Sequence, residues 1–254
     1  WLHNDRNRDE LYAVGTNGQI LATYTLGKAV DDLEDMAIGP GPSPELHYLY
    51  CGDIGDNSAT RSSIRVYRAG EPAVYPELAA NPPSQELPLV DKFTFTYPDG
   101  SHNAEALLLD PLTGDLYIAT KQTGVARVYR ADSSQLQDGA IVTLSFVTQI
   151  DFHEVSSGDI SADGQEIILR QENFAKLWRR APGQTIEQAF ADTPVDVPVI
   201  GTPTEPNGEG VAFDGNGLGY YTVSEGVQPA IYFFERIDGP RPVPSRLLLP
   251  SGSV

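Results

Sequence analysis

The chain contains a single cysteine, Cys51, so no internal disulfide can staple it. No run approaches the roughly 20 consecutive apolar residues that a membrane-spanning helix needs, which excludes a helical membrane span from the sequence as read. Bases are scarce, with 17 Lys and Arg against 35 Asp and Glu, leaving a formal charge of −18. A nucleic-acid backbone is held by clustered Lys and Arg that release counterions, so this balance excludes a nucleic-acid partner. The four histidines and the lone cysteine form no cluster with zinc-ligand spacing. No charged-then-apolar leader precedes Trp1-Leu2-His3, which reads as mid-strand and therefore as a trimmed or processed chain. The absent leader does not bear on secretion, and the expected location is extracytoplasmic or secreted.

What the chain has in quantity is glycine (24), proline (20) and a hydrophobic fraction of 40%, a composition suited to many short strands and turns around a packed core. A short motif recurs as Asp32-Leu33-Glu34-Asp35-Met36-Ala37, Asn103-Ala104-Glu105-Ala106-Leu107-Leu108, Ser157-Gly158-Asp159-Ile160-Ser161-Ala162 and Asn207-Gly208-Glu209-Gly210-Val211-Ala212. Each copy sets an oxygen-bearing side chain two residues before an acid, and in a regular strand such positions share one side. The acids recur roughly every 50 to 70 residues, the range of propeller blades and well above that of helical or leucine-rich repeats. Strands of aromatic and basic character follow each copy, such as Ile64-Arg65-Val66-Tyr67-Arg68 and Ala126-Arg127-Val128-Tyr129-Arg130.

The expected fold is therefore all-β: a single β-propeller domain over residues 1–254, with five blades of about four antiparallel strands and six blades as the alternative. Asn17-Gly18 marks a hairpin turn, and the run from Asp110 to Asp115 marks another. Residues 245–250 either finish the last blade or supply an inner strand missing from the first. A stretch at 71–88, carrying Pro72, Pro76, Pro82, Pro83 and Pro88, reads as a dispensable surface insertion.

Propeller geometry gathers the starts of inner strands and the ends of second strands at one mouth of the central channel. That places Asp32, Glu34, Asn103, Glu105, Asp159, Asn207 and Glu209 there, joined by His3, Asn4, Asp5, Asp53, Asp56, Asn57, Lys121, Arg170, Glu172 and Glu225. So many carboxylates cannot stay ionised and unpaired; they must recruit cations or retain protons. The candidate metal ligands are Glu34, Asp53, Asn103, Glu105, Asp159, Asn207 and Glu209, an all-oxygen set that favours Ca2+ over Zn2+. The alternative is that Lys121 and Arg170 neutralise the ring and no ion binds. The candidate catalytic groups are His102, Glu105, Lys121 and Arg170, with His102 close to Glu105 in sequence as a proton-transfer group. Gly52-Asp53-Ile54-Gly55-Asp56-Asn57 packs oxygens between glycines, and Asp5-Arg6-Asn7-Arg8-Asp9 has the alternating oxygens of a calcium loop without its glycine and distal glutamate.

The motif Asp32-Leu33-Glu34-Asp35-Met36-Ala37, and its copy at 207–212, resembles the Asp-x-Glu-Gly-hydrophobic-Ala pattern of the phytase-like esterase and SdiA-regulated propeller families. The ring of inner-strand acids is more loosely similar to the senescence marker protein, gluconolactonase and paraoxonase group, whose central calcium orients an ester or lactone. Asp35 stands where those families often have Gly, and five blades replace the six of the lactonases. The resemblance implies a calcium-dependent hydrolase of ester, lactone or phosphoester bonds acting on a small molecule. A non-enzymatic binding or scaffolding propeller with a protein partner is the alternative, and a five-bladed glycosidase is the third reading. The expected state is a monomer.

Overall fold

Short runs of β-branched and aromatic residues, broken by Gly and Pro, fold as antiparallel strands joined by tight turns. The computed structural model describes residues 1–5 and 8–237. Blade I holds β1 (Leu2–His3), β2 (Glu10–Val14) and β3 (Ile20–Thr25). Blade II holds β4 (Leu33–Gly39), β5 (Tyr48–Asp53) and β6 (Ile64–Gly70), then, after β7 (Ser84–Glu86), β8 (Val90–Thr96). Blade III runs β9 (Ala104–Leu109), β10 (Leu116–Thr120), β11 (Ala126–Ala131), β12 (Ile141–Thr143) and β13 (Ser145–Ile150). Blade IV runs β14 (Ser157–Ile160), β15 (Glu166–Gln171), β16 (Phe174–Arg179), the helix α1 (Ile186–Phe190) and β17 (Val195–Val197). Blade V holds β18 (Gly208–Phe213), β19 (Gly219–Ser224) and β20 (Ile231–Glu235). Five sheets result, and the chain is a five-bladed β-propeller. The two placements weighed for residues 245–250 lie outside the described residues, as do Arg6 and Asn7 of the loop at 5–9. No helix of the described residues is long and apolar enough to cross a membrane.

The core is divided among the seams between blades. Leu11, Ala22 and Tyr24 meet Leu33, Leu49 and Tyr67 between blades I and II. Tyr50, Val66 and Phe93 meet Leu107, Ile118 and Tyr129 between II and III. Leu108, Tyr117 and Val128 meet Ile167, Leu169 and Trp178 between III and IV, and Ile168 and Ala175 meet Val211 and Tyr220 between IV and V. Blades II, III and IV therefore bury both faces, which is why β9 and β10 of blade III read as unbroken apolar runs rather than alternating ones.

The connections between third and fourth strands reach back to the preceding blade. β7 leaves blade II to pair in parallel with β3 of blade I, and β12 leaves blade III to pair in parallel with β8 of blade II. In blade IV the same connection forms α1, whose Phe190 stacks edge-on against Trp178 at 5.3 Å, in the seam shared with blade III. The 71–88 stretch thus lies on the surface but is no free loop. Thr23 N donates to Pro83 O, Leu87 N donates to Thr25 O, and Leu87 itself is buried in the first seam. The turn at Pro76–Ala80 precedes β7, and Glu71 accepts the indole N–H of Trp1 at 3.1 Å. This anchoring is not legible in the sequence, because three residues of parallel pairing leave no alternation to read.

An innermost strand is a sheet edge, so its outward N–H groups need acceptors from elsewhere. Asp35 supplies them across the channel axis: it accepts from the amides of Met36 and Leu107 at 2.9 Å and of Gly158 at 3.2 Å, and from the Ser157 hydroxyl at 3.2 Å. One carboxyl thereby ties β4, β9 and β14 together. Burial pushes this carboxyl well above the usual range, against the amides that donate to it.

Candidate functional site

The strand register decides which acids face the mouth. In blade II, Leu33 pairs with Asp53 and Asp35 with Gly52, so Glu34 is an extra, bulged residue. In blade III, Ala104 pairs with Thr120 and Ala106 with Ala119, leaving Glu105 bulged; in blade V, Gly208 pairs with Ser224 and Gly210 with Val223, leaving Glu209 bulged. A bulge re-aims a side chain out of the regular alternation. Three glutamates are thus presented by one repeated backbone irregularity, and all three act electrostatically on Lys121.

Blade II forms the most acidic corner. One oxygen each from Asp5, Asp32 and Glu34 lies within 4.8 Å of the others. Gly55, whose N–H donates to Asp32 O at 3.2 Å, makes the room: a Cβ there would stand 2.3 Å from Glu34 Oε1 and 2.5 Å from Asp32 Oδ2. Burial, then repulsion from Glu105, Asp32 and Asp5, raises the Glu34 carboxyl to about 10, with Lys121 opposing. Without a cation, Glu34 holds its proton at neutral pH.

Blade III carries its own cation. Lys121 N donates to Asn103 O at 3.0 Å, and its Nζ stands 2.5 Å from Glu105 Oε2 and 3.8 Å from Glu209 Oε1. Asn103 Nδ2 donates to the other Glu105 oxygen at 3.3 Å, while its Oδ1 accepts from Asp56 N at 2.6 Å. Burial raises the Glu105 carboxyl despite Lys121. Burial would lower the Lys121 ammonium, but the hydrogen bond and charge of Glu105 outweigh it and raise it. Glu209 rises to about 7, chiefly through burial, with Lys121 opposing and Glu105 and Glu225 adding repulsion.

Other sequence candidates stand apart from this group. Asp159 was aligned with the glutamates by spacing, but blade IV has no bulge: Ser157, Gly158 and Asp159 pair in unbroken register with Arg170, Leu169 and Ile168. Asp159 instead accepts from Phe213 N and Ile160 N at 2.8 Å, a strut to blade V, and burial raises it to about 7 against those donors. Asp53 is fully buried under the loop at 31–32, accepting from Asp32 N at 2.9 Å and pairing with Arg61 and Arg65 at 2.9 Å each. Arg170 is fully buried as well. It pairs with Glu205 at 2.9 Å, donates to Gly210 O at 2.8 Å, and lies where a Cβ on Gly208 would be. His102 sits on the rim with both ring nitrogens engaged: Nε2 meets Asp99 Oδ1 at 3.0 Å and the Tyr129 hydroxyl at 2.9 Å, and Nδ1 meets Gln122 Nε2 at 2.9 Å. Asn207 is exposed and in the left-handed region (φ 52°), its carbonyl accepting from Glu225 N at 3.0 Å. Asp35 and Glu205 were missed as functional side chains; an acid inside an apolar strand was the available signal for the first, and Glu205 gave none.

The geometry defines a five-bladed propeller whose mouth pairs a three-carboxylate corner with a lysine-neutralised one. No protein-family model matches the sequence, and no curated protein matches it. Among solved structures the chain is similar to the Dos1 propeller, at 12% identity and a TM-score of 0.40 over 84% of this chain and 59% of that one. It is also similar to a chain of Kuenenia stuttgartiensis hydrazine synthase, at 13% identity and a TM-score of 0.42 over 84% of this chain and 49% of that one. The chain thus spans about half to three-fifths of the length of the structures it matches. The likeness is one of fold alone.

Proposed function

We propose that the mouth binds one hard divalent cation, Ca2+ in first place, at Asp5, Asp32 and Glu34, and that the propeller is a cation-dependent binding module for a small, oxygen-rich ligand. The observation that carries this reading is the convergence of one carboxylate oxygen each from Asp5, Asp32 and Glu34 within 4.8 Å of one another, the last two beside the bare Cα of Gly55. Oxygen ligands around a Ca2+ ion sit at about 2.3–2.6 Å from it, so mutual separations of a few ångströms suit it, and Zn2+ would demand softer or nitrogen donors. When bound, the ion would supply a Lewis-acidic point for a carbonyl or phosphoryl oxygen. The chain's own residues do the rest: Gly55 leaves space, Lys121 holds Glu105 and Glu209, and Asp56 and Asn103 fix the intervening rim. Few charged ligands and partial exposure suit the weak sites of extracellular modules, with dissociation constants of roughly 10⁻⁴–10⁻³ M. An extracytoplasmic location fits that affinity.

Hydrolysis of an ester, lactone or phosphoester is the second reading, and the Glu209 carboxyl favours it: near 7, it suits a general base. Arg170 does not serve that reading, because it is buried against Glu205. Calorimetric titration with CaCl2, paired with thermal melts with and without chelator, tests the binding reading. Heat of binding at millimolar Ca2+ and a melt lowered by chelator are expected. The absence of both signals would overturn it.

A further inference from the structure

The connection that leaves blade II after β6 crosses to blade I, where β7 pairs with β3, and a cleft lies beneath the crossing. Among the described residues it is a cavity of about 160 Å3 between the start of the connection and the hairpin of β2 and β3. Its lining includes Val14, Leu21, Pro72 and Val74, together with Trp1 and Glu71. The lining is held from several sides. Glu71 N donates to His47 O at 2.8 Å, Trp1, Leu21 and Val74 pack on the core of the first seam, and the turn at Pro76–Ala80 lies against β3. The Trp1 ring is tilted against Tyr24 with centroids 5.7 Å apart, and its indole N–H donates to Glu71 Oε1 at 3.1 Å. The second Glu71 oxygen accepts no hydrogen bond among the described residues. The Trp1 amino group is near, but burial lowers it and so disfavours the ammonium that would neutralise this carboxylate.

We propose that this cleft is a binding site for a small organic cation, a primary ammonium carried on a single ring. Size sets the ring: an apolar cavity of roughly 150 Å3 takes one benzene, and this one is about 160 Å3. Charge sets the arm, because an ammonium donates to the open Glu71 oxygen in a charge-assisted hydrogen bond, and an indole is the aromatic group that attracts a cation best. A ring bearing a carboxylate would meet Glu71 as a like charge, and the formal charge of −18 repels anions at long range. The lining shares no residue with the carboxylate corner of the mouth, so the proposal does not rest on the divalent-cation reading.

The test is benzylamine titrated into the full chain and followed by NMR at the indole N–H signals of its two tryptophans. Trp1 lines the cleft, whereas Trp178 is buried in the seam of blades III and IV and serves as the internal control. A saturable shift of the Trp1 signal alone is expected, with a dissociation constant of about 1 mM. Glu71→Gln keeps an acceptor for the indole but removes the charge, and should weaken benzylamine at least about tenfold while leaving benzyl alcohol, the uncharged analogue, unaffected. No shift of Trp1 at about 10 mM benzylamine overturns the site. Equal shifts of both tryptophans overturn it too, since they report a general surface effect. Benzyl alcohol binding as tightly as benzylamine, or unchanged benzylamine affinity in Glu71→Gln, overturns the ammonium assignment. Should Glu71→Gln fail to fold, Val74→Phe, which fills part of the cleft, decides in its place, and unchanged affinity there overturns the site.

Discussion

Blade IV differs from blades II, III and V by one residue of strand register, and that residue moves an acid from the mouth to the interior. Where the inner strand is bulged, Glu34, Glu105 and Glu209 are released from the alternation and reach the channel opening. Where it is regular, Asp159 stays in the ladder and caps Phe213 N of the next blade. The bulged blades place charge where water, a lysine or an ion can meet it. The regular blade satisfies its charges inside the protein, through Arg170 with Glu205 and Asp159 with backbone amides. Register, rather than composition, separates an acid at the mouth from a structural one, because side chains in a strand have a period of two and a one-residue slip changes their side.

The largest expected effect breaks blade IV at its buried pair. Arg170→Met leaves the Glu205 carboxylate without its partner and should cost about 3–5 kcal/mol in denaturant unfolding. A loss below about 1 kcal/mol would show that Glu205 escapes to solvent, and that blade IV is not internally neutralised as described.

Neighbouring residues in blade II sharpen the contrast next. Asp35→Ala removes the acceptor of three amides and a hydroxyl on three inner strands, and should cost about 2–3 kcal/mol, the range for orphaned buried donors. Unaltered stability would mean that the strands at the axis hold together without it.

Asp159 makes a pH-dependent version of the same test. Its folded carboxyl, at about 7, binds its proton more tightly than the unfolded one near 3.8, so its contribution to stability is complete below about pH 4 and is lost as pH rises through 7. Stability measured from pH 4 to 7 should therefore fall more steeply in the unmutated chain than in Asp159→Asn. Parallel profiles would place Asp159 in water rather than in the seam.

The smallest effect on stability belongs to Glu34→Gln. Glu34 is already protonated at neutral pH without an ion, so the apo fold should change by no more than about 0.5 kcal/mol. Its readout is instead the calcium response: any rise in melting temperature with CaCl2 should vanish. A large apo destabilisation would move Glu34 from the mouth to the group of structural acids that includes Asp35.

Much of the framework was legible because it rests on local chemistry. Asn17-Gly18 makes its hairpin, with Gly18 at φ 80°, and Asp110 closes its turn by pairing with Gly114 and Asp115. The repeated acid motif found the inner strands, and the aromatic runs found the third strands. The reach-back strands β7 and β12 were not legible, since each borrows its partner from another blade and shows no pattern of its own.

The sequence by itself determined the all-β propeller, the strand order along the chain and the excess of acid over base, all of which follow from turn residues, hydrophobic spacing and charge count. Only the tertiary structure decided which acids share the mouth. A bulge adds one residue to one strand against its partner, and no spacing within the strand records what the partner does. Likewise Lys121 and Arg170 both stand where a second strand ends, yet one reaches Glu105 and the other sinks beneath Gly208 to Glu205. That choice lies in the space left by glycines on neighbouring blades, which exists only once the ring has assembled.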